Sequence, residues 1–426
     1  MKILLIKNAI IVNSKDIASK PQDILLENGR IAKIAPSIST KEAEIIDAKG
    51  KLVLPGLIDL HVHLRTPGQE HKETVETGSR AAAKGGFTSV FCMPNTNPVI
   101  DNASIVESIK KEAQCVGLVN VYPVGAVTKG QKCEELTDIW ELAQAGCPAI
   151  SDDGKAVHNS QLMRLALEYS KMAGVFIIQH CEDPCLSHRG VMNEGLVSTT
   201  LGLKGWPEVA ETIIVARDIE LARYLKARVH FAHMSCGRSI ELIRMAKAKG
   251  IPVTAEVCPH HFTLTDDLVR SFDTNYKVNP PLRTAADVAA MKEGLADGTI
   301  DCITTDHAPH AQEEKELEFD HAPFGMIGLE TSLALTITEL VEKKVLTFPQ
   351  LVEKMSTAPA RVGGLANKGE IREGLDADIT IIDPKKEWVV RKEEFASKSH
   401  NSPFVGRTLK GFVETTICGG KITYQA

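Results

Sequence analysis

The sequence predicts an α/β protein: a (β/α)8 barrel of the TIM type, beside a small sheet domain built by both chain ends. Three observations carry this. Short apolar strands alternate with amphipathic, helix-length stretches eight times along the middle of the chain. The two ends carry only short apolar runs split by Asn, Gly and Pro, the texture of strands joined by tight turns. Histidines and aspartates recur where the predicted strands of the middle stop. Eight β-then-α units imply a parallel sheet that can close into a cylinder, with every C-terminal strand end facing one pocket. An open doubly wound sheet is the competing arrangement, and ligand-type residues at many strand ends favour closure.

Residues 1–52 read as all-β, with strands expected at 3–6, 10–12, 23–26, 30–34 and 44–47 before Pro55-Gly56 breaks the pattern. Residues 53–365 form the barrel. Its strands end near Val62, Met93, Val124, Ile150, Ile178, Phe231, Val257 and Thr304. Helices are expected over 74–84, 103–113, 134–145, 160–172, 209–226, 239–249 and 287–296, and a last one over 329–342. From 366 to 426 the β texture returns, with a turn feeding a buried strand over 374–383 and a Gly419-Gly420 hairpin within 413–424.

Bulk properties narrow the function. With 426 residues the chain exceeds one simple core unless that core is a large barrel. A net charge of -6, with the signs interspersed, argues against nucleic acid or an anionic membrane as partner. The ten cysteines are scattered without a C-x-x-C pair, which suits free thiols in a reducing cytosol. The start, Met1 to Lys7, is too short and interrupted for a signal segment, and no apolar run approaches the ~20 residues that cross a bilayer. A soluble, cytoplasmic protein is expected.

The chemistry concentrates at strand ends. In 57–65 a short apolar strand finishes with His61 and His63, which alternate onto one face, followed by Arg65. The fourth strand delivers Asp152-Asp153-Gly154, the fifth His180, the sixth His233, and the eighth Asp306-His307-Ala308-Pro309-His310. Any one of these alone is more often a hydrogen-bonded core or turn residue than a ligand. Their joint placement favours metal. Four imidazoles and two carboxylates suit two divalent ions, zinc before others, because one ion with six protein ligands keeps no position for water. His230 is expected to face the helices, His158, His188, His321 and His400 are read as ordinary histidines, and His260-His261 stay unassigned.

These residues, with Met93-Pro94-Asn95-Thr96, Val278-Asn279-Pro280-Pro281-Leu282-Arg283 and Ala322-Pro323-Phe324-Gly325, resemble in order the class I dihydroorotases of the metal-dependent amidohydrolases. The resemblance spans nearly the whole chain. It implies a binuclear zinc barrel with a composite β-sandwich, His61, His63 and Asp306 holding one ion and His180 and His233 the other. Related hydantoinases and allantoinases bridge their metals with a carboxylated lysine from strand four; here Asp153 takes that place, with Lys155 as a rival two residues later. The implied reaction is reversible hydrolysis of dihydroorotate to N-carbamoyl-aspartate in pyrimidine synthesis, with Asp306 as general base turned general acid. Arg65, Asn95 and His310 would clamp the substrate carboxylate, and Asn279, Phe324 and Gly325 would meet the ring. A homodimer and association with aspartate carbamoyltransferase are further expectations, as is a mobile loop over 310–323. Members commonly read His-Leu-Arg-Glu-Pro-Gly where this chain has Thr66, which touches no expected ligand. The alternatives are a hydantoinase or allantoinase, and a silent scaffold for the carbamoyltransferase, which would have lost ligands.

Overall fold

Eight parallel strands close on themselves in the computed structural model, which describes residues 3–40 and 42–426; Met1 and Lys2, which open the N-terminal run, lie outside the described residues. Strands β1 (Leu57–Val62), β2 (Phe87–Cys92) and β3 (Asn120–Pro123) form one parallel run. Strands β4 (Ala149–Ile150), β5 (Phe176–Gln179), β6 (Val229–Phe231), β7 (Val253–Val257) and β8 (Cys302–Ile303) form another. Two seams join them. Ser151 N–H donates to Gly125 O at 2.8 Å beside the Gly125–Ile150 bridge, and His63 N–H donates to His307 O at 2.9 Å beside the Val62–His307 bridge. The second seam matters for chemistry, because it sews the first and last strands together between His63 and Asp306.

Strand alternation sorts the apolar side chains into two cores. Ile58, Phe91, Ile178 and Ala232 fill the cylinder, while Leu57, Val90, Ile177 and Phe231 pack outward on the helices. The helices are α1 (Val75–Lys84), α2 (Ala103–Val116), α3 (Ile139–Ala145), α4 (Ser160–Ala173), α5 (Val209–Leu225), α6 (Gly237–Ala248) and α7 (Ala285–Asp297). Thr74, Asn102, Asn159 and Thr284 start four of them by accepting hydrogen bonds from first-turn N–H groups. The stretch expected to be helical from 134 begins only at Ile139, because Asp138 caps Glu141 N–H and Leu136 is bridged to Thr128. The helix expected over 329–342 is Ser332–Thr336 continued by a π-helical turn, Ile337–Val341.

Both chain ends meet in one sheet. Leu4–Ile11 pairs with Gln22–Glu27, Glu44–Asp47 and Leu52–Pro55; Ile379–Val389 then pairs with Leu52–Pro55 and with Thr408–Cys418. The runs expected as separate strands at 3–6 and 10–12 are one strand, kinked where Asn8 adopts φ 59°. Leu52–Pro55 pairs wholly within this sheet, so the change of texture falls at Gly56. Gly419 and Gly420, at φ 55° and 75°, close the hairpin between Thr408–Cys418 and Lys421–Gln425, where a two-residue turn needs positive φ twice.

Candidate active site

The strand ends bring His61, His63, Asp153, His180, His233 and Asp306 to one place. Every ring has a second partner that decides which nitrogen it offers, save His233. His61 Nδ1 lies 2.8 Å from Glu256 Oε1, and a carboxylate only accepts, so Nδ1 carries a proton and Nε2 is the nitrogen turned to Asp153. That Nε2 stands 3.1 Å from Asp153 Oδ1 and 3.7 Å from Asp306 Oδ1. His63 donates from Nδ1 to Asn95 Oδ1 at 2.8 Å and turns Nε2 toward Asp306 Oδ1 at 3.0 Å and Asp153 Oδ2 at 3.5 Å. His180 donates from Nε2 to Glu182 Oε2 at 3.0 Å, leaving Nδ1 beside Asp153 Oδ1 at 3.5 Å and His233 Nε2 at 3.0 Å. His233 Nε2 is 3.4 Å from the same Asp153 oxygen.

Asp153 therefore sits between two histidine pairs, one on strand β1 and one on β5 and β6. Its Oδ1 and the His61 Nε2 are buried without a hydrogen-bond partner. Burial would lower the His61 ring, but Asp153 and Glu256 hold it well above its usual range, so this close pair is satisfied either by a proton on Nε2 or by a cation lying against both atoms. The donor set, neutral imidazole and carboxylate, is that of a borderline divalent metal. Among the described residues three groups have ligand atoms close enough together to share an ion: His61 with His63 and Asp306, His61 with Asp153 and His233, and, outside this cavity, Cys258 with His260 and His261. The residues fit a metal site. Burial would raise both carboxyls, but His61, His180 and His233 hold Asp153 well below the usual carboxylate range, and His63 and His61 hold Asp306 below it too. Both are carboxylates at neutral pH.

Backbone strain aims three of these side chains. Arg65, His233 and Asp306 have φ of 59°, 32° and 47°, the left-handed region that non-glycine residues avoid. Each lies just past a strand, where the chain must turn sharply to point a side chain across the barrel mouth.

The surroundings differ from the sequence reading in several places. His230 does not face the helices. It points into the barrel, edge-on to Phe176, and holds Glu256 Oε2 at 2.9 Å, so one carboxylate orients His61 and is itself oriented by His230. Burial would raise Glu256, but its bonds to His230 and His61 hold it well below the usual range. Asp152 turns away from Asp153 to accept Val127 N–H at 2.8 Å and Thr128 N–H at 3.1 Å. Lys155 is exposed and does not line the cavity. His307, next to Asp306, is buried in a structural network with Glu73. Arg283 is buried, reaching Asn193 Oδ1, Trp206 O and Ser235 Oγ. His261 donates to Pro280 O at 3.0 Å with His260 beside it, and neither lines the cavity.

Of the residues expected to hold metal or substrate, all but His61 line one cavity of about 300 Å³. Arg65 is buried there, its Nε donating to Pro309 O at 3.1 Å and its Nη2 lying 3.3 Å from His310 Nε2. Burial brings its guanidinium down to about 10, so it stays charged at neutral pH. Its neighbour His310 is pushed well below its usual range by burial and by Arg65, and is neutral. Asn279 donates to Glu182 Oε2 at 3.3 Å, while its Oδ1 is buried without a partner, an acceptor waiting for an N–H. Glu182 and Glu256 were missed in the sequence. The signal for Glu256 was a lone charge inside the apolar strand Val253–Val257, and for Glu182 a carboxylate two residues past His180.

The family model described as dihydro-orotase-like matches residues 50–239, and that of the amidohydrolase family matches residues 239–424. A dihydroorotase of Pelotomaculum thermopropionicum is 56% identical over 99% of this chain and 98% of its own length. Dihydroorotases of Acetivibrio thermocellus and Geobacter metallireducens are 54% and 52% identical, each over 99% of both chains. Among solved structures, the L-hydantoinase of Arthrobacter aurescens superposes with a TM-score of 0.89 at 27% identity, covering 100% of this chain and 96% of its own.

Proposed function

The chain belongs to the dihydroorotase family of amidohydrolases, and on that premise we propose that it hydrolyses the ring amide of (S)-dihydroorotate reversibly to N-carbamoyl-L-aspartate, the ring step of pyrimidine synthesis, with two zinc ions per chain. His61, His63 and Asp306 would hold one ion, His180 and His233 the other, and Asp153 both. Bound there, zinc supplies Lewis acidity that makes a water ionisable near neutral pH and polarises a carbonyl. Asp306, a carboxylate held by His63, accepts the proton of the attacking water and returns it to the departing ring nitrogen. Arg65 offers its terminal nitrogens to the substrate carboxylate, with Asn95 and His310 beside it. Asn279 Oδ1 accepts a ring N–H, and Phe324 and Gly325 close the opposite wall.

The observation that carries the substrate choice is the buried Arg65 in the same cavity as Asp153 and Asp306. A buried guanidinium favours a ring bearing a carboxylate, which hydantoin and allantoin lack. The exposed Lys155 also counts against a carboxylated-lysine bridge. Turnover of dihydroorotate with little or none of hydantoin and allantoin supports the reading, and the reverse preference overturns it. A silent scaffold would have lost ligands, and all six are present and converge. The ten unpaired cysteines support a cytoplasmic enzyme. Homodimerisation is part of the proposal, supported by exposed Trp140, Tyr169, Met172 and Tyr224 on the adjoining helices α3, α4 and α5. Molecular mass in solution tests it, and co-elution tests association with aspartate carbamoyltransferase.

A further inference from the structure

The wall of the cavity opposite the histidines is the backbone of residues 323–325, and it is held from outside the site. Gly325 N–H donates to Lys277 O at 2.9 Å, and its carbonyl accepts both Lys315 Nζ and Asn401 Nδ2 at 3.1 Å. Lys315 Nζ also takes Pro323 O at 2.9 Å. Lys277 Nζ takes Phe319 O at 2.6 Å and Asp320 O at 3.0 Å, and stands 4.7 Å from the centre of the Phe324 ring. Asn401 binds the other side of the same loop, donating to Ala308 O at 3.0 Å and accepting His310 N–H at 3.2 Å. In the segment over 310–323, expected to be mobile, the carbonyls of Phe319, Asp320 and Pro323 accept these lysine hydrogen bonds.

We infer that Lys315, Lys277 and Asn401 are positioning residues for substrate recognition, fixing the 323–325 backbone so that Phe324 and His310 close against Arg65 across the cavity. The link to the substrate is short, since His310 Nε2 lies 2.8 Å from Phe324 O and 3.3 Å from Arg65 Nη2. There is no slack at Gly325. At φ 133°, a Cβ there would stand 2.8 Å from Ala308 Cβ and 3.1 Å from His310 Cδ2. Neither lysine has a carboxylate partner among the described residues, although both are buried. Burying an ammonium without a carboxylate against it is costly, and the return in this structure is carbonyl capture, joined for Lys277 by the Phe319 and Phe324 rings. Burial accordingly brings Lys277 down to about 8 and Lys315 to about 7.

This inference rests on the reading that the cavity binds dihydroorotate. It is tested by steady-state kinetics on zinc-loaded wild type, Lys315→Met, Lys277→Met and Asn401→Ala, with thermal unfolding to establish folding. The expected result is a KM for dihydroorotate raised about tenfold with kcat within about threefold, the mark of lost ground-state and transition-state binding alike. An unchanged KM in a folded variant, whatever its Tm, overturns the inference by reducing that residue to a structural role. Asn401→Ala carries no charge change and acts on the same Gly325 oxygen, so it decides the matter if the lysine variants do not fold. Wild type that does not turn over dihydroorotate fails the functional reading instead, a separate outcome.

Discussion

His61 Nε2 and Asp153 Oδ1 face each other at 3.1 Å, both buried and neither hydrogen-bonded. Without metal only a proton on His61 Nε2 relieves this pair, and a bound ion must displace that proton, so metal binding is expected to be linked to both stability and pH. Chelation is expected to lower Tm by about 5 °C or more, and added zinc to restore it. A Tm that ignores the chelator would mean that the pair is content without metal.

Glu256 fixes the His61 tautomer from below while His230 fixes Glu256. Glu256→Gln keeps the shape but lets an amide N–H face one of the rings. Zinc affinity, measured by chelator competition, is expected to fall about 10- to 100-fold. An unchanged affinity would leave His61 oriented by packing alone.

Arg65 commits Nε to Pro309 O and sets Nη2 against His310, and the proposed function has its remaining N–H groups meet the substrate carboxylate. A lysine cannot copy that division of donors. Arg65→Lys is expected to raise KM for dihydroorotate about 10- to 100-fold at unchanged metal content. Equal kinetics in the two proteins would remove Arg65 from the carboxylate site.

Lys315 is held at about 7 by burial, against an ordinary value of 10.5. Between those values the unfolded chain carries a proton that the folded chain has lost, so this residue's contribution to stability grows as pH rises from about 7 to 10.5. In denaturant unfolding, wild type is expected to gain about 2 kcal/mol on Lys315→Met between about pH 7 and 9. A difference independent of pH would show that the ammonium stays charged in the fold.

The barrel and the ligands were legible because their signals are local. Strand periodicity and a His or Asp at the first, fourth, fifth, sixth and eighth strand ends need no knowledge of distant contacts, and Gly419-Gly420 announces its own turn. What was hidden depends on partners far away in the chain. His230 reads as an outward residue until Glu256, on the next strand, is seen to hold it inside. Lys277, Lys315 and Asn401 drew no reading from the sequence, and only the folded loop shows their targets to be carbonyls. The left-handed backbone at Arg65, His233 and Asp306 has no mark in residue type, because the barrel imposes it against local preference.

The most direct test of the account is zinc content and dihydroorotate turnover measured together on wild type and Asp153→Ala. The account predicts two ions per chain in wild type, the loss of at least one in the variant, and turnover lower by about a thousandfold or more. A variant that keeps both ions and comparable turnover would contradict it, because the carboxylate placed between the histidine pairs would then be holding nothing.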